Sequence, residues 1–243
     1  MIGMLGRKIG MTQILDHVGE VVPVTVIQTG PVTVTRIRTQ AKEGYNAIQI
    51  GFEDVKEKHA TNSHFKAFEK LQLTPKRHLK EFRLPPNQKL EDYKVGQEMN
   101  AELFSEGEFV DVQGKTKGKG FQGGIRRWGM KGGPETHGSM YHRRPGSNGC
   151  TTFPGRTWRG HHHPGHMGDD TNTVQNLLIV KVMKEDNAIL VRGAVPGARN
   201  ALLVIQKSFK RDKIDLTKLK QRVGAEDKKD AKKAPAKKPA PKK

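Results

Sequence analysis

The chain has 243 residues, of which 34% are hydrophobic, and 44 Lys plus Arg stand against 25 Asp plus Glu for a formal net charge of +19. No apolar run approaches the roughly 18 to 20 residues of a membrane span, and the opening Met1-Ile2-Gly3-Met4-Leu5-Gly6 lacks the apolar stretch of a signal peptide, so a cytoplasmic chain is expected. A single cysteine, Cys150, excludes an internal disulfide and a multi-cysteine zinc site.

The N-terminal part reads as short strands. Val21 to Ile27 is rich in β-branched residues, Val32 and Val34 alternate with Thr33 and Thr35, and Ile48, Ile50 and Phe52 share a face at period two. Thr29-Gly30-Pro31 and Glu43-Gly44 supply the turns, and many short strands with tight turns predict an antiparallel barrel or sandwich. Residues 55–95 change character. Asn62 or Ser63 is expected to cap a helix carrying Phe65, Phe68 and Leu71, and a second helical piece with Leu79 and Phe82 stops at Pro85-Pro86. Strand pattern resumes at Ala101 and Leu103 and again from Phe109 to Val112, around Ser105-Glu106-Gly107, as a hairpin. Further strands follow at Val174 to Met183, Ile189 to Val195 and Ala201 to Ile205.

Between these strands lies residues 114–168, with ten Lys or Arg, one acid and a net charge of +9. It holds fifteen of the 27 glycines, both tryptophans, and a single Ile with no Val, Leu or Ala, so it cannot bury enough apolar surface to fold alone. A loop this long inside a compact domain is functional or disordered. The C-terminal residues 207–243 carry fifteen cations and five acids, a net +10 that leaves the rest of the chain neutral. A short helix is predicted around Leu216, Leu219 and Val223, and residues 224–243 are a low-complexity Lys/Ala/Pro tail expected to be disordered. The organisation expected is a mainly β body, barrel or sandwich, over 1–113 and 169–210 with a helical insertion at 55–95, an arm at 114–168, and a basic tail at 211–243.

Several motifs fail on context. Gly118-Lys119-Gly120-Phe121-Gln122-Gly123 is a literal G-x-G-x-x-G, but the dinucleotide reading needs a following helix, against which Gly124, Gly129, Gly132 and Gly133 argue, and a downstream acid. Gly114-Lys115-Thr116 imitates the end of a P-loop, yet Phe109 occupies the place of the first glycine. His161, His162, His163 and His166, with His137 and His142, invite a metal, but three consecutive imidazoles cannot all face one ion and only Asp169 and Asp170 could orient them. They are read as phosphate donors or stacking rings, with no metal and no cofactor. Cys150 lacks the His/Asn partners of a nucleophile.

The positive signal is the mixture. Lys115, Lys117, Lys119, Arg126, Arg127, Lys131, Arg143, Arg144, Arg156 and Arg159 supply cations, while Phe121, Trp128, Tyr141, Phe153 and Trp158 interleave stacking surfaces. Arg grips phosphate in a bidentate manner, and aromatics stack on unpaired bases at roughly 1 to 3 kcal/mol each. Folded RNA suits an irregular Gly-rich arm better than duplex DNA, which would call for a helical recognition element. Two other classes are weighed beside RNA binding: a DNA compactor relying on the tail, and a metalloenzyme relying on the histidines.

Phe104, Asp111, Gly114, Thr116, Gly118, Lys119, Gly120, Gly123 and Arg127 stand at the spacing F-x6-D-x2-G-x-T-x-G-K-G-x2-G-x3-R, which resembles the signature of the large-subunit ribosomal protein L-three family. Gly6-Arg7-Lys8-Ile9-Gly10-Met11-Thr12-Gln13 is similar to the family's opening. His142 to Ser147, Pro154-Gly155-Arg156 and Gly165 to Gly168 are similar to its extended arm. The resemblance covers about residues 1–210 and implies a translation-protein-type β-barrel with an arm that runs through ribosomal RNA toward the peptidyl transferase centre, a role in early subunit assembly, and no enzymatic activity. It implies large-subunit ribosomal RNA and neighbouring ribosomal proteins as partners, and neither a membrane nor a small-molecule substrate. Carried over by position, residues 114–127 form the RNA-packed root, with close backbone approach at Gly114, Gly118, Gly120 and Gly123. Asn148 to Arg159 lie nearest the tip, and Trp128, His142, Trp158 and His161 to His163 join the ten cations in contacting RNA. Some relatives carry a methylated glutamine where this chain has Thr152, so no modification is expected there. His161 to His163 stand where relatives more often have Lys or Arg, which would make part of the arm's charge depend on pH.

Overall fold

The computed structural model describes residues 3–15, 19–84, 90–211 and 213–214. In chain order they form β1 (Met4–Leu15), β2 (Val21–Gln28), β3 (Val32–Arg38), α1 (Gln40–Glu43), β4 (Ala47–Asp54), α2 (Asn62–Glu69), β5 (Lys76–Arg83), β6 (Glu98–Met99) and β7 (Phe109–Lys115). There follow β8 (Gly120–Gln122), α3 (Gly124–Trp128), β9 (Gly165–Met167), β10 (Thr171–Met183), β11 (Ala188–Arg192) and β12 (Leu202–Lys207). The protein is mainly β.

Six strands close a barrel in the order β1-β12-β7-β10-β11-β2, with every pair antiparallel. Closure leaves no edge within the ring, so the β-branched runs at Val24 to Ile27, Ile189 to Val191 and Leu203 to Ile205 pair on both sides. A second sheet, β5-β4-β3-β6, packs beside the barrel. One continuous apolar cluster joins the two: Met4, Leu5, Ile27, Val112, Ile189 and Ile205 from the barrel touch the group of Val32, Val34, Ile48, Ile50, Phe82 and Phe104. Each such side chain contributes about 1.5 to 3 kcal/mol by leaving water. The Arg7 guanidinium on β1 reaches Glu53 on β4 at 2.6 Å across the junction.

Buried polar groups are satisfied locally. The Thr25 hydroxyl donates to the Gly193 carbonyl at 2.6 Å, and Lys76 meets the Asp54 carboxylate at 2.6 Å. The Lys76 ammonium, ahead of the opposing effect of burial, holds the Asp54 carboxyl below the ordinary carboxylate range.

Three expectations change. The second helical piece is strand β5: its residues pair with β4 from Ala47↔Arg83 to Asp54↔Lys76, and Phe82 is buried opposite Ile48. Leu79 and Phe82, three apart, imitate helical spacing, but the open edge of β4 offered a full ladder of backbone hydrogen bonds. Among its described residues the 55–95 insertion is therefore one α-helix, short 3-10 turns and an edge strand. That helix starts one residue earlier than expected, with Thr61 rather than Asn62 or Ser63 at the cap position, and buries Phe68. Ala101 and Leu103 lie in a 3-10 turn instead of a strand, and the short strand before it, β6, pairs with β3. The helix predicted around Leu216 and the Lys/Ala/Pro tail lie outside the described residues. No helix among the described residues is long and apolar enough to cross a membrane.

Candidate nucleic-acid interface

The arm leaves the barrel and returns to it through two paired neighbours. β7 and β10 run antiparallel in the register Gly114↔Asn172 and Lys115↔Thr171, so the 55-residue excursion of 114–168 starts and ends at one place. Just beyond, the Thr116 amide donates to the Asp170 carbonyl at 2.9 Å, and the Asp170 amide to Thr116 Oγ1 at 3.1 Å. The Lys119 amide donates to the Met167 carbonyl at 2.9 Å, and β8 then pairs with β9 through Gly120↔Met167, Phe121↔His166 and Gln122↔Gly165.

Most of the signature has work inside the protein. Phe104 is in the core. The Asp111 carboxylate accepts the Asn176 amide at 2.8 Å, where the β7–β10 register shifts between Val174 and Leu177. Gly114 is buried in β7, and a Cβ there would lie 2.7 Å from Leu203, so its smallness serves barrel packing; the expected approach to phosphate is corrected at this position. Gly118 faces Gly168, which has φ +80° and lies where a Cβ would press on the Lys117 carbonyl and come within 3.0 Å of the Gly118 Cα. Gly120 has φ +68° with open space around it, and Gly123 is extended with nothing near it.

A helix exists where the glycines argued against one. α3 spans five residues between Gly123 at its N-cap and Gly129 at its C-cap, the latter at φ +69°. Flanking glycines occupy cap positions, where glycine is at home, and Gly124 leaves room for the Met130 sulfur. The turn directs Arg127 and Trp128 back at the returning chain. Arg127 Nη1 donates to the His163 carbonyl at 2.9 Å and Trp128 Nε1 to the same oxygen at 3.0 Å. The His162 ring stacks on Trp128 at 4.1 Å and 15°, and the Arg127 guanidinium carbon lies 4.9 Å from the indole. Gly165 passes directly against the Arg127 guanidinium, so a side chain there would have to displace that group from the His163 carbonyl. His161 and His163 meet edge to face at 4.9 Å. Arg127, Trp128 and His162 thus brace the root through contacts with one another and with His163.

Outward of this brace the chain has little to hold it. Gly133 donates to the Tyr141 carbonyl at 3.0 Å, and His142 Nδ1 lies 3.0 Å from the Pro134 carbonyl. From Arg143 to Arg159 every residue except Pro154 is exposed, and among the described residues the side-chain hydrogen bonds are the local ones between Ser147 and Gly149. Lys115, Lys117, Lys119, Arg126, Lys131, Arg143, Arg144, Arg156 and Arg159 are all exposed, as are Trp158, His161 and Thr152. Among the described residues one ion pair involves these cations, Lys115 with Asp169 at 3.4 Å, and an exposed pair contributes only about 0 to 1 kcal/mol. Phe121 and Phe153 are 76% and 83% exposed, which places these two rings with the cations on the open surface. At the root, Lys8 donates to the Val195 and Gly197 carbonyls, and burial, followed by the charge of Lys117, pushes its ammonium below the ordinary lysine range.

No group of three or more His, Cys, Asp or Glu that could hold a metal ion occurs among the described residues. Cys150 is exposed and free. The pinning residues Thr116 and Asp170 escape a reading that looks for cations and rings, since their roles appear only once 116 and 170 are known to be adjacent. Phe209, 93% exposed beside Lys210 and outside the arm, carries no sequence motif at all.

The family model for Ribosomal protein L3 matches residues 87–188, which span β7, the whole arm and β10. The chain is also 45% identical over 211 residues to a protein of Brachyspira pilosicoli named large ribosomal subunit protein uL3, an alignment covering 87% of this chain and 95% of that one. The chain belongs to the ribosomal protein L3 family. The uL3 of Alkaliphilus metalliredigens is 48% identical over 213 residues, covering 88% of this chain and all of its own length. That of Acetivibrio thermocellus is 49% identical over 208 residues, covering 85% and 97%. Both alignments leave part of this chain unmatched, while the relatives are matched almost from end to end.

Proposed function

We propose that this chain is a structural constituent of the large ribosomal subunit, that residues 114–168 bind large-subunit ribosomal RNA, and that the chain acts early in subunit assembly with its arm directed toward the peptidyl transferase centre. Its partners are that RNA and neighbouring ribosomal proteins. It performs no catalysis and takes no cofactor. The barrel and its companion sheet form the body, and the braced root aims the arm.

The observation that carries the reading is the arm's imbalance: nine exposed cations, one of them in an ion pair among the described residues, beside bare Phe121, Phe153 and Trp158 rings. Such a segment is held neither by apolar burial nor by internal ion pairing, and a folded polyanion offers both charge neutralisation and flat bases to stack on. The Thr116–Asp170 and Arg127–His163 contacts leave the root organised without it, so the ordering that RNA supplies falls on residues 130–160. Lys115, Lys117, Lys119, Arg126, Lys131, Arg143, Arg144, Arg156 and Arg159 contact phosphate, Trp158 and the two bare phenylalanines stack, and Gly118, Gly120 and Gly123 let the backbone lie close.

Cross-linking in intact ribosomes tests this, read out as nucleotide partners of residues 115–163. Cross-links to large-subunit RNA along the arm are expected. A chain absent from the large subunit, or an arm cross-linking to protein alone, would overturn it.

A further inference from the structure

β1 is longer than the barrel it helps to close. Met4 to Arg7 pair with β12, and Lys8 is held on the same side, its amide bonded to Ala201 and its carbonyl to the Asn200 amide. Beyond Lys8 the strand pairs only with β2, from Gly10↔Val26 to Leu15↔Val21. Residues 10–15 are therefore the outer edge of a two-stranded ribbon, and among the described residues no strand covers that edge.

The two edges of the ribbon differ. On the β2 side, β11 pairs as far as Val24, Gly193 donates to the Pro23 carbonyl, and Pro23 has no amide to offer. That side is closed almost to its tip. The β1 side, Gly10-Met11-Thr12-Gln13-Ile14-Leu15, contains no proline and no charge, two of the devices by which exposed edges are ordinarily protected, and the register shift of β1, between Lys8 and Gly10, lies at its start and leaves residues 10–15 in unbroken register with β2. Met11, Leu15 and Val21 are 54%, 72% and 55% exposed, and Leu15 and Val21 stand directly across from each other. From Ile9 to Leu15 and from Val21 to Gln28 there is no Lys, Arg, Asp or Glu, in a chain with 44 Lys plus Arg. A surface meant for phosphate would need cations. This one offers alternating backbone donors and acceptors with apolar side chains between them, over a length, about 20 Å, that suits an ordinary strand.

We propose that the outer edge of β1, residues 10–15, is a strand-addition site that receives an extended, uncharged, apolar-alternating segment of a neighbouring protein in the particle. This rests on the ribosomal reading above, because it takes the neighbour from the large subunit. Backbone hydrogen bonds would supply the affinity, and the Met11 and Leu15 faces the selectivity.

The test places the photo-cross-linker p-benzoylphenylalanine at Thr12, and separately at Gln13, in the full chain expressed in cells. Large subunits are purified and irradiated, and the cross-linked products are identified by mass spectrometry. A cross-link to one defined peptide of a large-subunit protein is expected. In subunits carrying M11K with L15K, that same protein should be depleted at least fivefold while the occupancy of this chain is retained. Cross-links confined to RNA, to a second copy of this chain or to its own C-terminal residues would overturn the proposal, as would undiminished occupancy of the cross-linked neighbour. Should the double-lysine chain fail to accumulate, the cross-link in the otherwise unaltered chain decides. Absence of the chain itself from purified subunits would instead sink the ribosomal reading, and this inference with it.

Discussion

At the scale of single residues, the arm's root is governed by where two chain segments cross. Gly168 has φ +80° and sits against the Lys117 carbonyl, so Gly168→Ala suffers both backbone strain and a clash, at about 1 to 3 kcal/mol. Gly120→Ala, at φ +68° in open space, meets only the backbone term of about 1 kcal/mol. Amide exchange at Lys119, whose proton is bonded to the Met167 carbonyl, should accelerate clearly in the first variant and little in the second; equal effects would mean that crowding at Gly168 is irrelevant. A second prediction concerns Glu108, paired with Lys207 at 2.9 Å with both side chains about 15% exposed. Burial pushes the Glu108 carboxyl up, but hydrogen bonds from Lys207 and Ser105 outweigh it and hold the group below the ordinary value. The folded-state value thus lies under the unfolded one, and the pair's contribution is complete above the unfolded value and lost as pH falls through the folded one. Glu108→Gln should cost about 1 to 2 kcal/mol at neutral pH, and the gap to the parent should close in acid; urea titrations across pH read this directly. The signature's spacing was fully visible in the sequence. That Asp111, Gly114 and Thr116 serve internal contacts was not, because Asn176, Leu203 and Asp170 are 54 to 89 positions away.

At the scale of elements, legibility tracked whether the decisive partner was local. The β-branched alternation at Val32 to Thr35 and at Ile48 to Phe52 names its own structure, and both segments are strands. β5 does not, because its charged KRHLKEFR composition resembles a helix until the open edge of β4 is considered. α3 was obscured differently: its five residues are bounded by glycines that act as caps, so a rule counting glycines as breakers misjudged their position. The continuity of the core across the barrel and the second sheet gives a prediction. Ile205 lies on β12 between β1 and β7 and is fully buried, and Ile205→Ala should cost about 2 to 5 kcal/mol. Since Ile205 and Ile48 belong to the same apolar cluster, amide protection at Ile48 and Ile50 should fall together with that of the barrel. Undisturbed protection in β4 would show two independent cores.

At the scale of the whole molecule, the arm is attached without being structurally required. No residue of 116–168 belongs to the apolar core, and β7 and β10 are already paired where it departs. Replacing residues 119–166 by a short turn should therefore leave the barrel folded, with loop closure favouring the shortened chain by up to about 2 kcal/mol. RNA affinity should collapse, and each phosphate contact removed should flatten the logarithmic salt dependence by about 0.7 to 0.9; a shortened chain that unfolds would show that the arm supports the barrel. The order of strands in the ring also sets a timetable. β1 is made before every other strand described, yet its neighbour on one side is β12, with Met4 opposite Ile205. At the usual 5 to 20 residues per second, some 200 residues of synthesis separate the two, a wait of roughly 10 to 40 s. Throughout that interval β1 has β2 but lacks its other flank, and the entire cationic arm emerges before the ring that anchors it can close. The chain is born with its cationic segment already out and its own body still open, and the last of the described strands to appear is the one that ends the exposure.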